Sequence, residues 1–235
     1  MLRGEALESG GVVRIFGEEA QHAARVKRVM EGDVVELLNG AGVVASARVA
    51  RIVKEGGVWA LDARVEGVVR VERALPRVEV WSSAPKGPRL EDMIDGLSQV
   101  GCALWRPLLC ERTVVDPREG KMSRLERVAV ESAKQCAREW IMQIGGAIEF
   151  ERAIDPAPGR RVLIADGAGE PSVPAGSAEV VVLLVGPEGG FSERELGVAG
   201  SIPRVRLGPH TMRIETAAVV GAAMLMGGAC REAAR

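Results

Sequence analysis

Two short stretches concentrate the groups that can do chemistry. The first, "VVVLLVGPEGGFSERE", runs from Val180 through β-branched residues into Gly186-Pro187-Glu188-Gly189-Gly190 and restarts as a helix at Ser192. The second, "RVRLGPHTMRIETAAVVGAAML", repeats the plan: a strand, Gly208-Pro209, a short loop, then a helix rich in small residues. Glycine turns between a strand and a helix let main-chain atoms approach a small molecule. Neither stretch is a phosphate cradle. G-x-x-x-x-G-K-[ST] is missing, and so is G-x-G-x-x-G followed by an acid about 20 residues on. Glu188 inside the turn would repel a phosphate, so a ligand with a positive centre suits the loop better. Each loop alone also reads as a tight turn at the end of a sheet; two of them together could grip one flat ligand. Arg213, Glu215 and Thr216 follow the second loop. They read either as an ion pair at a helix start, where the dipole favours Glu215, or as a guanidinium and a carboxylate facing the ligand.

The elements that must position these loops alternate. "RVEVWSSA" reads as a strand and "RLEDMIDGLSQVG" as a helix ending at Gly101, with Leu90, Met93, Ile94 and Leu97 on one face. "ALWRPLLC" is a strand, and "SRLERVAVESAKQCAREW" a long amphipathic helix that would carry Arg138. "RVLIADG", "EVVVLLVG" and "IPRVRLG" are further strands, and "TAAVVGAAMLMG" a last helix. This alternation predicts a mostly parallel sheet covered on both faces. Ser192 and Glu195 form a capping box that fixes the helix start after the glycine turn. Ahead of Pro76 the rhythm is different. From Gly32 to Val71 short strands dominate, with a hairpin at Asn39-Gly40, and "GEEAQHAARVKRVMEGD" supplies one small helix bearing Arg25, Lys27 and Arg28. The expected organisation is a small barrel over residues 1–75 and an α/β domain over 76–235.

Bulk properties narrow the classes. Lys plus Arg number 31 against 32 for Asp plus Glu, so any nucleic-acid contact rests on a local basic face and not on net charge. The chain has no tyrosine and three phenylalanines, which leaves four tryptophans, mostly core candidates, as the main stacking platforms for bases. Its four cysteines form no CxxC pair, and no histidine stands at metal-ligand spacing. A reduced, cytoplasmic protein without structural metal is expected. No run is long and apolar enough for a membrane span, and "MLRGEALESGG" lacks a signal-peptide core.

"LVGPEGGFSERE" and "LGPHTMRIETAAVVGAAML" together resemble the SPOUT class of methyltransferases, in particular the ribosomal RNA small subunit methyltransferase E family. The resemblance covers nearly the whole chain: "HAARVKRVMEGDVVELLNGAG" is similar to that family's N-terminal PUA-like barrel, and "APKGPRLEDMIDGLSQVG", "CERTVV" and "ESAKQCAR" follow in the family's order. It implies a C-terminal trefoil knot, a homodimer, and S-adenosylmethionine as cofactor. It also implies methylation of uracil N3 in 16S rRNA of the small ribosomal subunit. By the same analogy the cofactor is bordered by Leu184, Val185, Gly186, Glu188, Gly189 and Gly190 from the first loop. Leu207, Gly208, Met212, Ile214 and Thr216 border it from the second. A sulfonium cofactor without phosphate agrees with the physical reading of the glycine turn. Arg213 is expected to stabilise the anionic uracil, Glu215 to accept the N3 proton or orient Arg213, and Arg138 to hold the base or a phosphate. Arg25, Lys27 and Arg28 are the expected RNA contacts.

Four positions depart from the family pattern: Gly96 where lysine is common, Gln99 in place of a carboxylate, Met142 in place of proline, and Ile214 in place of threonine. They bear on the substrate more than on methyl transfer. Another rRNA or tRNA target, or a non-catalytic RNA-binding assembly factor that retains the cofactor site, are the competing expectations. A nucleotide-dependent metabolic enzyme would need a phosphate loop or dinucleotide fingerprint, and neither is present.

Overall fold

A computed structural model of the protein describes residues 7–117, 119–171 and 177–232. The chain divides into two compact units, one of residues 1–73 with 137–140 and one of residues 74–136 with 141–235.

The first unit is built on an antiparallel sheet of four strands, β1 (Val12–Phe16), β2 (Val34–Leu38), β3 (Val43–Glu55) and β4 (Val58–Arg70), in the order β1-β4-β3-β2. Alternate residues Val43, Ala45, Ala47, Val49, Leu61, Ala63 and Val65 are buried against Ala20 of helix α1 (Glu18–Arg25), the period-2 pattern of a sheet with one covered face. The hairpin at Asn39-Gly40 forms, although its turn is longer than the expected two residues. Asn39 Oδ1 accepts from the N–H groups of Ala41 (2.8 Å) and Val43 (3.0 Å) and so folds residues 39–42 into a side-chain-supported loop. The tight turn lies at Gly56-Gly57 instead, both with positive φ. The anticipated basic helix is shorter than expected. It stops at Arg25, and Arg28 takes a left-handed φ of 53° in the turn that follows.

Trp140 completes this unit from a distant part of the sequence. Its indole Nε1 donates to Val71 O at 3.0 Å, and the Arg73 guanidinium stands 4.2 Å from the ring centroid. Gly42 has a φ of 81°, and a Cβ there would come within 2.2 Å of the indole. Only glycine fits the position on both counts.

The second unit carries seven strands: β5 (Arg77–Ser82), β6 (Leu104–Leu109), β7 (Gln143–Ile144), β8 (Ile148–Glu149), β9 (Arg160–Glu170), β10 (Val180–Val185) and β11 (Arg204–Val205). They run in the order β11-β9-β10-β5-β6-β7, with β8 also on β6, and the described pairings are all parallel. Alternation along β10 sets the layers. Val181, Leu183 and Val185 join the core with helices α2 (Arg89–Gln99), α3 (Glu119–Gln135) and α6 (Ile214–Glu232), while Val182 and Leu184 face α4 (Phe150–Ala153) and α5 (Glu193–Ala199). Both faces are therefore covered, as a parallel sheet requires. The α2 face buries Leu90, Met93, Ile94 and Leu97, as its sequence period predicts.

Helix α3 ends at Gln135, so Arg138 is not on it; the chain leaves the helix through Ala137 at a φ of 52°. Two of the unusual positions have a packing explanation. At Gly96 a Cβ would stand 2.9 Å from Val219 Cγ2 of α6, so a longer side chain cannot occupy the α2–α6 contact as it stands. Met142 is buried in the main core. Gln99 donates to Asp95 Oδ2 at 2.8 Å, one turn earlier on α2. Among the described residues no helix is long and apolar enough to cross a membrane, and no group of three or more His, Cys, Asp or Glu is placed to hold a metal ion.

Candidate functional site

A cavity of about 490 Å3 lies where the loops that follow β10 and β11 meet the middle of β9, at the irregularity in its pairing with β11. Loops at the carboxyl ends of parallel strands are where open α/β folds bind ligands, and the volume is in the range of drug-sized ligand sites. Val185 to Glu188, Gly190, Phe191 and Leu196 form one wall. Arg206 to Met212, with Ile214 and Ala217 from α6, form a second, and Ala165, Asp166 and Gly167 the third. Polar and apolar residues both line the cavity, among them the charged or titratable Asp166, Glu188, Arg206 and His210.

The first wall is held by the capping box expected from the sequence. Ser192 Oγ accepts from Glu195 N (3.1 Å), and Glu195 Oε2 accepts from Ser192 N (2.7 Å). Glu195 is 1% exposed, and its second oxygen accepts from Glu111 N at 2.9 Å. The turn itself closes through Gly190 N donating to Pro187 O at 2.8 Å. On the far side Ser83 N donates to Val185 O at 2.9 Å. Arg194 joins Glu111 and Glu151 in an exposed ion-pair group. The Ser192 hydroxyl and then Arg194 hold the Glu111 carboxyl below the usual carboxylate range. Burial, reinforced by the Glu195 carboxylate, pushes the Cys110 thiol up to about 12.

Eight expected cofactor residues line the cavity: Val185, Gly186, Glu188, Gly190, Leu207, Gly208, Met212 and Ile214. Leu184, Gly189 and Thr216 do not. Leu184 points into the α4–α5 layer, Gly189 presents its carbonyl to Arg112 at 2.6 Å, and Thr216 is exposed on α6. The helix period explains the difference on α6: Ile214 and Ala217, three apart, share the cavity face.

Arg213 and Glu215 also fall outside the lining. Arg213 is exposed, and no ion pair joins the two. Glu215 turns toward α2, where Arg89 Nη1 lies 3.5 Å from its Oε1, while Oε2 is buried without a hydrogen-bond partner. Arg138 stands past α3 in the segment that packs with the first unit and is not among the lining residues. Arg25, Lys27 and Arg28 are exposed together with Val26 and Met30, on a turn closed by Lys27 N to His22 O (3.1 Å) and Val29 N to Ala23 O (3.0 Å).

Sequence reasoning passed over the third wall. Asp166 ends the buried part of β9; its Oδ1 accepts from Ala168 N (2.9 Å), and Arg204 Nη1 lies 3.3 Å from its Oδ2. The signal was the Asp-Gly pair of "LIADG", which interrupts the apolar run of β9.

The residues present fit S-adenosylmethionine. Gly208 leaves room for the Met212 side chain to fold over it: a Cβ there would stand 2.6 Å from Met212 Cε and would push that methyl group aside. The acid set Asp166 and Glu188 suits a sulfonium and an ammonium, and Arg206 suits a carboxylate.

Comparison with known proteins gives the same direction. Residues 72–226 match the model of an RNA methyltransferase domain, and residues 16–60 that of an RNA methyltransferase PUA domain. A Mycobacterium bovis protein called ribosomal RNA small subunit methyltransferase E is 32% identical over 228 residues, covering 91% of this chain and 85% of its own length. A Synechocystis protein of the same name is 28% identical, covering 91% of this chain and 72% of its own. Among solved structures, a Neisseria gonorrhoeae ribosomal RNA small subunit methyltransferase E bound to S-adenosyl methionine superposes with a TM-score of 0.79 at 22% identity, over 95% of this chain and 94% of that one. A Legionella pneumophila putative methyltransferase with bound SAM gives 0.77 at 24% identity, over 97% and 96%. The fold is thus shared across both units, and at the level of sequence the chain belongs to the ribosomal RNA small subunit methyltransferase E family.

Proposed function

We propose that the protein methylates N3 of a uridine in 16S rRNA of the small ribosomal subunit, with S-adenosylmethionine as methyl donor. The observation that carries the reading is the three-walled cavity between the loops after β10 and β11 and the middle of β9, lined by glycine turns and an acidic pair in place of a phosphate cradle. The cofactor supplies an electrophilic methyl group. Asp166, Glu188 and Arg206 would hold its charged groups, and Val185, Leu207, Met212, Ile214 and Ala217 would pack against its apolar parts.

The chain's remaining task is the base. Uracil N3 must lose its proton to become a nucleophile, and negative charge then spreads to the flanking oxygens. Arg213, exposed next to the wall residues Met212 and Ile214, stabilises that charge. Glu215 accepts the proton. In the structure Arg89 engages one of its oxygens and the other is buried beside α2, so the carboxylate must turn out toward the base to take the proton. Once neutralised, Glu215 would pass the proton to solvent as the product leaves. Arg138 serves the RNA and not the cofactor slot. Arg25, Lys27 and Arg28, presented with Val26 and Met30 on one exposed turn, contact the RNA backbone. The C-terminal knot, the homodimer and a cytoplasmic location expected from the family belong to the same reading; sedimentation of the purified chain checks the dimer.

The test is transfer of labelled methyl to small ribosomal subunits that lack the modification, with free 16S rRNA and tRNA alongside and nucleoside mass spectrometry of each. N3-methyluridine in the subunits is the expected product. Cofactor binding without transfer to any RNA would instead favour a non-catalytic assembly factor. Replacing Arg25, Lys27 and Arg28 by alanine should weaken RNA binding and reduce its salt slope by about 2–3 if each contacts a phosphate. Cofactor affinity should be unchanged.

A further inference from the structure

The "CERTVV" segment that follows β6 has no part in the cavity lining, yet it touches the glycine turn at several points. Arg112 Nη1 donates to Gly189 O at 2.6 Å, and the Arg112 Cδ lies 3.4 Å from where a Gly189 Cβ would stand. Its neighbour Glu111 donates its N–H to the buried Glu195 carboxylate, the same group that caps α5 at Ser192. The Glu111 side chain reaches Arg194 on the next helix position. Thr113 makes the segment rigid: its Oγ1 accepts from Cys110 N at 2.8 Å, its N–H donates to Cys110 O at 3.0 Å, and its hydroxyl lies 3.4 Å from Ser83 Oγ. Ser83 in turn bonds Val185 at the other end of the glycine turn.

The turn needs this support because its own closure is thin. Among the described residues, Gly190 to Pro187 is the main-chain bond that closes the turn between Gly186 and Ser192. Glycines at 186, 189 and 190 give the unliganded loop many conformations to lose on binding. A charged donor on the Gly189 carbonyl holds, from outside the turn, the same Gly189–Gly190 peptide whose N–H closes it on Pro187, beyond the reach of the capping box. Loop order set before the ligand arrives appears as affinity, because binding no longer bears that ordering cost.

We propose that Arg112 is a positioning residue for cofactor binding: it does not touch the ligand, and it holds the glycine turn in its binding geometry through Gly189 O, from a segment that Glu195 and Thr113 fix in place. This rests on the reading of the cavity as the S-adenosylmethionine site. It adds a residue that neither the lining nor the glycine pattern identifies.

The test uses the full chain, wild type and the variants Arg112→Ala and Arg112→Lys, with two readouts. Calorimetric titration with S-adenosylmethionine should show Arg112→Ala weaker by about tenfold or more, the effect of losing one charge-assisted hydrogen bond. Arg112→Lys should fall between the two, since an ammonium can still donate to the carbonyl. Thermal unfolding midpoints should agree among the three, because Arg112 is exposed. Amide hydrogen exchange without ligand should quicken in Arg112→Ala at residues 186–191, with β10 and α5 unchanged. A merely structural role would move the midpoint and spread the exchange change. An alanine variant that binds like the wild type, or whose turn exchanges no faster, overturns the proposal. Wild type that binds no S-adenosylmethionine while the turn still loosens in the variant overturns the cofactor reading, and with it Arg112's service to that ligand.

Discussion

Gly169 is the place where one methyl group should cost most. It lies on the outer part of β9 where β11 crosses close by, and a Cβ there would stand 2.6 Å from Arg204 C, 2.7 Å from Arg204 O and 2.7 Å from Val205 N. These are main-chain atoms, so no rotamer change relieves the clash; β11 must retreat by about 1 Å to reach an ordinary nonbonded separation. Arg206 N donates to Glu170 O at 2.8 Å and Ile164 N to Pro203 O at 3.0 Å, and the retreat breaks or lengthens both. Two hydrogen bonds at about 1 kcal/mol each and an overpacking cost of about 1–3 kcal/mol are offset by about 0.4–1 kcal/mol from the stiffer unfolded chain. The net expectation for Gly169→Ala is a loss of about 2–4 kcal/mol. Urea unfolding followed through tryptophan fluorescence reads it, because Trp81 and Trp105 are both buried in this unit; the midpoint should fall with an unchanged slope. Gly167→Ala is the internal control, two residues away with nothing within 4 Å of the added Cβ, and it should stay within about 0.5 kcal/mol of wild type. S-adenosylmethionine affinity should fall with Gly169→Ala as well, since the displaced elements carry Asp166 and Arg206 of the cavity. A Gly169→Ala protein as stable as the control would refute the close approach of β9 and β11, and with it the third wall.

Two further expectations follow from single side chains. With its pKa near 12, Cys110 should resist a thiol reagent at pH 8, where exposed Cys136 reacts readily. The sign for stability is that the folded state keeps this proton longer than the unfolded chain does, so stability should drop as pH climbs from about 9 toward 12, and a Cys110→Ser protein should lose less across that window. Trp140→Ala should lower the stability of the first unit by about 2–4 kcal/mol, through the lost indole packing on Gly42 and the freed carbonyl of Val71. Circular dichroism across a thermal scan checks it, and an unshifted first transition would count against the assignment of residues 137–140 to that unit.

What the sequence disclosed and what it hid divide along physical lines. A period of 3.6 identifies a helix when one face is buried, as in α2, whereas β10 was legible as a short run of β-branched and leucine residues ending at a glycine turn, the mark of a strand covered on both faces. Strand β1 was not: Val13 and Ile15 alternate inward on it, but the outward Val12 and Phe16 are apolar as well, so "VVRIF" shows no alternation in the sequence. Strand β11 shows only two paired residues, because its register against β9 jumps between Arg204 and Val205. In the site, two glycine turns announce themselves by composition, and main-chain contacts need no side-chain direction. The direction of Glu215 is a tertiary fact. Adjacency to the loop suggests that it faces the ligand, but α6 starts at Ile214 and its turn of about 100° per residue swings the carboxylate toward Arg89, 126 residues earlier. Arg138 was misplaced because the helical pattern of α3 continues in composition past Gln135, whereas Ala137 adopts a left-handed conformation and redirects the chain.

The indole of Trp140 has a consequence for how the chain is made. The bond from Trp140 to Val71 closes a loop of 69 residues, and β5, α2, β6 and α3 all lie inside it. Closing such a loop costs about 1.7 kcal/mol more chain entropy than closing one of about ten residues. The first unit is therefore not a bead that finishes when its own strands have left the ribosome. Its last piece arrives only after two strands and two helices of the other unit have been synthesised, so a nascent chain halted near residue 73 would display Gly42 and the Val71 carbonyl uncovered. An exchange of this unit between relatives must carry residues 137–140 with it, cut from the middle of the other unit's sequence.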